Sequence, residues 1–143
     1  RGYRHLAGID INPAAFDVME RFYPELAAAG TFRADAIERV VPEFADGRFD
    51  AVYSVETLQH IHPDNRWVFG AIARITDTRL VTVEIEGRAD RTDPDEPSVN
   101  FVKNGLPLYY RRWDRVFSDF GLAPVETASV DRDTVRVFSA EDA

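Results

Sequence analysis

The sequence predicts an α/β domain on a doubly wound, mostly parallel sheet with an antiparallel C-terminal strand pair. Three observations carry that prediction. Short β-rich segments alternate with helical ones; three strand ends carry polar groups at Asp10, at Asp35 with Ala36, and from Ser54 to His60; and two alternating segments close the chain. In open sheets of this kind ligands bind at the carboxyl ends of the strands, so those ends are where function is sought.

"HLAGID", residues 5–10, is a short apolar strand ending in an acid. In "INPAAFDVMERFY", Asn12 is an N-cap, Pro13 suits the first helical position, and Phe16, Met19 and Tyr23 repeat at helical spacing. "GTFRADA" reads as a turn glycine, a very short strand and the acid Asp35, and "IERVVPEF" as a helical turn or two ended by Pro42. "FDAVYSV", residues 49–55, has the β-branched and aromatic content of a packed strand. Asp64 or Asn65 caps a helix whose apolar face is Trp67, Val68, Ala71, Ile72 and Ile75. "RLVTVEIEG", residues 79–87, is the strongest strand segment. Residues 88–107 carry prolines, charge and no periodicity, and read as a long loop. "LYYRRWDRVFSDFG" reads as a helix with Tyr109, Trp113, Val116, Phe117 and Phe120 on one face and Gly121 as its C-cap. "APVETASV" and "DTVRVFSA" form a closing hairpin about Asp131. No repeat or linker divides the chain, so residues 1–143 are expected to form one domain.

Composition narrows the function. Hydrophobic residues make up 45% and charged residues 29% of the chain, which is ordinary globular usage. The net charge of −8 argues against nucleic acid, which requires a basic face. No apolar run approaches the roughly 20 residues of a membrane span, and no signal-like segment opens the sequence. With no cysteine there is neither a disulfide framework nor a thiolate metal site, and the expected setting is cytoplasmic. Lys103 is the only lysine. The chain opens at Arg1 and its one methionine is Met19, which suggests part of a longer polypeptide. Homo-oligomerisation is left open.

The strand ends hold the candidate chemistry. A carboxylate at Asp10 can accept two hydrogen bonds from a ribose diol, or it can cap a helix. Ile11 can lie against a flat base or sit in a core. Asp35 beside a free Ala36 N–H can read the edge of adenine, or cap its own turn. His60 can take a proton from an acceptor hydroxyl or amine, or shape the loop without proton transfer. His60 and His62, two residues apart with no third ligand in register, make no metal site. Tyr110, Arg111 and Arg112 suit recognition of an acidic or aromatic acceptor, and equally a solvated helix start.

"GIDINP", "RADA" and "FDAVYSVETLQHI", in that order, resemble the middle of a class I S-adenosylmethionine-dependent methyltransferase. The resemblance covers residues 6 to about 85, and the last helix and hairpin fit the family's antiparallel finish. It implies a Rossmann-like fold and S-adenosylmethionine as cofactor. It also implies that Asp10 binds the ribose hydroxyls, Ile11 packs on the adenine, and Asp35 with Ala36 reads its edge. Ser54, Val55 and Glu56 would lie by the methionyl part, partly through backbone groups. Gln59 and His60 would face the acceptor, with Tyr110 and Arg111 in the segment that builds the acceptor pocket.

The chain departs from the family in one respect. The family's first central strand and glycine-rich loop should precede Asp10 by roughly 20 residues, but only nine residues stand before it. That strand is expected to be missing from this chain, which would then bind cofactor poorly and be inactive alone. The reading that follows is methyl transfer to a small-molecule acceptor. Its rivals are a non-catalytic methyltransferase-like binding protein and a nicotinamide-dependent oxidoreductase, in which Asp10 also fits a ribose.

Overall fold

The computed structural model describes residues 3–87 and 97–140. The chain divides into two compact units, residues 1–44 and 45–143.

In the first unit β1 (Leu6–Asp10), α1 (Ala14–Phe22), α2 (Pro24–Ala29), β2 (Gly30–Ala34) and α3 (Ile37–Val40) follow in order. β1 and β2 pair in parallel, with Asp10 opposite Ala34. Asn12 caps as its residue type predicts: its Oδ1 accepts from the Ala14 N–H at 3.1 Å. Pro24 separates α1 from α2, because the residue before a proline is driven from helical geometry, and Tyr23 sits at φ −138°, ψ 57°. The Phe32 ring lies across two glycines. A Cβ on Gly8 would stand 2.6 Å from it, and one on Gly30 2.7 Å. Phe16 meets the same ring, with centroids 5.8 Å apart.

The second unit contains β3 (Phe49–Val55), α4 (Trp67–Ile75), β4 (Thr76–Ile85), β5 (Ser98–Phe101), β6 (Pro107–Tyr110), α5 (Trp113–Ser118), β7 (Ala123–Val130) and β8 (Asp133–Ser139). Its main sheet has the order β3-β4-β8-β7. β3 and β4 are parallel, and β4–β8 and β8–β7 are antiparallel. The mixed α/β architecture and the antiparallel closing pair are therefore as the sequence predicts. Packing against that sheet is an aromatic core in which Phe69 meets Trp113 at 5.6 Å and Phe117 meets Phe138 at 5.2 Å between centroids.

Four local expectations are corrected. β3 is an edge strand with Tyr53 79% exposed, rather than a packed one. The helix expected over 108–121 is confined to Trp113–Ser118, and Pro107–Tyr110 instead pairs with Ser98–Phe101 as an antiparallel hairpin. Pro107 has no N–H for a helix, and the paired tyrosines suit a pleated surface. The N-cap position of α4 is Arg66 rather than Asp64 or Asn65, which lie in a short turn where His62 Nδ1 accepts from the Asp64 N–H at 3.2 Å. β4 starts at Thr76, directly after α4. Gly121 does end its helix, at φ +83°, a region that glycine enters without cost. Of the long loop expected over 88–107, residues 88–96 lie outside the described residues.

Candidate functional site

In the first unit the parallel pairing of β1 and β2 brings two predicted acids together. The Asp35 N–H donates to the Asp10 carbonyl at 3.1 Å. Asp10 Oδ1 accepts from the Asn12 N–H at 2.8 Å, while Oδ2 has no partner among the described residues. Ile11, next to it, is 78% exposed, so it is not core. A carboxylate oxygen free for a diol beside an exposed branched apolar side chain suits a nucleoside. Asp35 corrects one detail. Its Oδ1 accepts from the Ala36 N–H at 2.7 Å, so that amide is occupied rather than free. Arg39 approaches the same oxygen at 3.5 Å. An adenine edge would find Asp35 Oδ2 open but would have to displace the Ala36 contact.

The second unit carries the segment from Ser54 to Ile61, and its backbone is held from within the fold by Glu84 of β4. Glu84 is fully buried. Its Oε1 accepts from Ser54 Oγ at 2.7 Å and from the Thr57 and Leu58 N–H groups at 3.2 Å each. Its Oε2 accepts from the Gln59 N–H at 3.2 Å. Burial pushes the Glu84 carboxyl up from its ordinary value, against these donors, which favour the ionised form. Val55 is half exposed. Glu56 has φ +46°, a conformation costing a non-glycine residue about 1 kcal/mol, and its carboxylate pairs with Arg132.

Two residues assigned to the acceptor side spend hydrogen bonds on backbone. Gln59 is 1% exposed, and its Oε1 accepts from the Ile85 N–H at 2.8 Å. Arg111 is 4% exposed and donates to the Ile61 carbonyl at 2.6 Å. Its guanidinium lies 5.1 Å from both the Phe69 and Tyr109 ring centroids. Desolvation pushes its pKa down to about 10, which leaves it cationic at neutral pH. Both side chains hold backbone in place, Gln59 through Oε1 and Arg111 through its terminal nitrogens, and Gln59 also lines the cavity beside His60. Arg112, bound to Asp114 at 2.7 Å, is likewise engaged. Tyr110 is half-buried at the end of β6.

His60 sits differently. Its Nδ1 stands 2.7 Å from the Pro107 carbonyl. A carbonyl only accepts, so Nδ1 carries the hydrogen and the neutral ring leaves Nε2 with a lone pair. The ring lines a cavity of about 270 Å³ together with Glu56, Gln59, Lys103 and Arg132. Val102, Leu106 and Leu108 form its apolar wall. The sequence reading missed Glu84, Lys103 and Arg132. The signal for Glu84 was in the strand's alternation: Leu80, Thr82 and Glu84 share a parity, and all three are buried. For Lys103 and Arg132, both in turns, no periodic signal existed.

Residues 1–79 match a family described as "Methyltransferase domain", more than half of the chain. The chain belongs to that family, the class I S-adenosylmethionine-dependent methyltransferases. S-adenosylmethionine is the family's cofactor. Among solved structures, this methyltransferase-family chain is similar to the Burkholderia thailandensis 1,6-didemethyltoxoflavin-N1-methyltransferase with bound 1,6-didemethyltoxoflavin and S-adenosylhomocysteine. The TM-score is 0.72 at 15% identity, over 96% of this chain and 61% of that one. It is also similar to an S-adenosylmethionine-dependent methyltransferase from Mesorhizobium loti, with TM-score 0.71 at 10% identity over 96% and 81% of the two chains. A third is the magnesium protoporphyrin IX methyltransferase of Synechocystis PCC 6803 with bound S-adenosylmethionine. There the TM-score is 0.60 at 16% identity, over 93% and 57%. At such identities the likeness concerns the fold, and the chain spans under two thirds of the Burkholderia and Synechocystis enzymes. No curated protein matches the sequence. Among the described residues no helix is long and apolar enough to cross a membrane.

Proposed function

We propose that this chain transfers a methyl group from S-adenosylmethionine to a small-molecule acceptor, with His60 as general base. The observation that carries the reading is the His60 Nδ1 contact to the Pro107 carbonyl, which leaves Nε2 as the ring's proton acceptor on a residue that lines a cavity of about 270 Å³. Asp10 Oδ2 and Ile11 suit the ribose and the adenine, and Asp35 suits the adenine edge beside Ala36. Ser54, Val55 and Glu56 are assigned to the methionyl part. Ser54 Oγ is spent on Glu84, so that contact falls to backbone groups.

Bound S-adenosylmethionine supplies a methyl group on a sulfonium, whose S–C electron pair stays with sulfur as the acceptor's lone pair forms the new bond. The chain's own task is to orient the acceptor and hold its proton. His60 Nε2 accepts that proton, and the Pro107 carbonyl, already receiving the Nδ1 hydrogen, stabilises the resulting imidazolium. Gln59 and Arg111 serve the site by fixing the loop that carries His60. Tyr110 remains as an acceptor contact from β6.

Calorimetry of S-adenosylhomocysteine tests the cofactor half of this reading, on this chain and on a form extended upstream by a strand and loop. Binding by the extended form, lost in Asp10→Ala and much weaker in residues 1–143 alone, is the expected result. Equal micromolar binding by the short chain removes the expectation that it is incompetent by itself. No binding by either form moves the reading to a non-catalytic binding protein. His60→Gln should lower kcat of an active form by about a hundredfold while sparing cofactor affinity.

A further inference from the structure

We propose that the cavity beside His60 selects an acceptor bearing an anionic group, carboxylate or phosphate, on a compact apolar body, and that Lys103 receives that group. Calling the ligand an acceptor rests on the methyltransferase reading. The preference for an anion rests on the cavity alone.

Lys103 is the only lysine in a chain of net charge −8, yet it stands in this wall. Its ammonium makes no hydrogen bond or ion pair among the described residues. The turn that presents it is tightly built. The Val102 N–H donates to the Leu106 carbonyl at 3.0 Å, and the Gly105 N–H donates to the Val102 carbonyl at 3.1 Å. Asn104 at φ 67° and Gly105 at φ 72° close it in the left-handed region, so the lysine has a fixed base. Arg132 is a second cation in the lining, but it is paired with Glu56 and approached by Asp133 at 4.0 Å. Among the described residues Lys103 is the cation of this lining without an ion pair, in a wall it shares with Leu106, Leu108 and His60.

A cation without a partner beside an apolar wall recognises an anion attached to an apolar group. The anion gains a charge-assisted hydrogen bond while the body covers Leu106, which is 48% exposed. The volume of about 270 Å³ admits a single ring with a short side chain. The long-range field of the acidic chain repels anions, so selectivity has to come from this local contact.

The single lysine makes the test direct. Reductive dimethylation with carbon-13 keeps the charge and gives one side-chain resonance, separate from that of the terminal amine. The chain is titrated with 4-phenylbutyrate, phenyl phosphate and 4-phenylbutyramide, following that resonance and, on unlabelled protein, the heat of binding. The proposal expects at least one anion to shift the Lys103 signal saturably and the amide to leave it in place. Which anion binds tighter separates a carboxylate acceptor from a phosphorylated one. Lys103→Ala should weaken anion binding about fivefold, and Lys103→Arg should keep most of it. Lys103 is exposed, so neither change threatens folding. Equal affinity for the amide, unchanged affinity in Lys103→Ala, or no binding by any probe overturns the proposal. S-adenosylhomocysteine titrated in parallel separates the two readings. Cofactor binding without anion binding removes this proposal alone. Anion binding in a protein whose upstream-extended form ignores the cofactor leaves the pocket's preference standing and removes the methyltransferase reading.

Discussion

Replacing Glu84 with alanine removes a fully buried carboxylate that accepts four hydrogen bonds, one from Ser54 of β3 and three from the loop after it. The cost can be worked donor by donor. Thr57 is exposed and its N–H can turn to water, and Ser54 Oγ is free to rotate. The Leu58 and Gln59 amides are buried and would be left without an acceptor, at about 1–3 kcal/mol each. Removing the desolvated carboxylate returns part of that sum, because its own burial is unfavourable. A net loss of about 3 kcal/mol follows, a large share of the 5–15 kcal/mol typical of a whole domain. Urea unfolding at neutral pH, followed by tryptophan fluorescence, measures it, because Trp113 packs in the core of the same unit. Amide exchange adds a local reading: protection at Leu58 and Gln59 should fall further than protection in β8. A loss below about 1 kcal/mol, with those amides still protected, would refute the idea that Glu84 organises the loop.

Glu84→Gln tests the titration of the same group. The folded pKa lies above the ordinary 4.5, so the group's stabilising contribution is full below pH 4.5 and is lost as pH rises through the folded value. The stability of the native chain relative to Glu84→Gln should therefore fall as pH rises above 4.5, and a difference that is flat or rising with pH contradicts the assignment. Arg111→Met should cost about 3 kcal/mol in urea unfolding, since the carbonyls of Leu58 and Ile61 lose their donor and the ring cage its cation. Thr82→Val should be neutral or stabilising by about 1 kcal/mol in thermal melts, because Thr82 Oγ1 is buried with no partner. Gly8→Val should destabilise the first unit by at least 1–3 kcal/mol, read as lost exchange protection in β1 and β2, because its side chain would occupy the place of the Phe32 ring.

Much of the fold was legible because local rules decide it. Asn12, Gly121 and the alternation in β4 each act through their own backbone, so residue type alone predicts the cap, the stop and the strand. What was not legible depended on partners distant in sequence. Residues 98–110 show no period because β5 and β6 are four residues each, and their hairpin is defined by pairing Ser98 with Tyr110. Edge placement of β3 is likewise a property of the sheet order, which composition does not carry. At the site, the acids at strand ends were readable from their position after a strand. The polar residues of the loop were readable as polar, but their tasks were not. Gln59 and Arg111 have the chemistry of ligand-binding side chains, and only their burial shows that this chemistry is turned inward.

That inward turn accounts for the density of polar side chains after β3. A loop that leaves a strand end strands its own backbone donors and acceptors, and buried ones must be paired. Here the pairing is divided by charge. Glu84 takes N–H groups of residues 57 to 59, while Arg111 supplies the carbonyls of Leu58 and Ile61. Gln59 closes the set by accepting from the β4 backbone at Ile85. With both polarities met from inside, His60 is the residue of the loop whose ring is directed to the cavity and fixed there by Pro107. Positioning a proton acceptor within a fraction of an ångström requires such support beneath it. A loop satisfied by water alone would leave the same histidine without that support, and much of the polar density after β3 is spent on backbone rather than on the cavity.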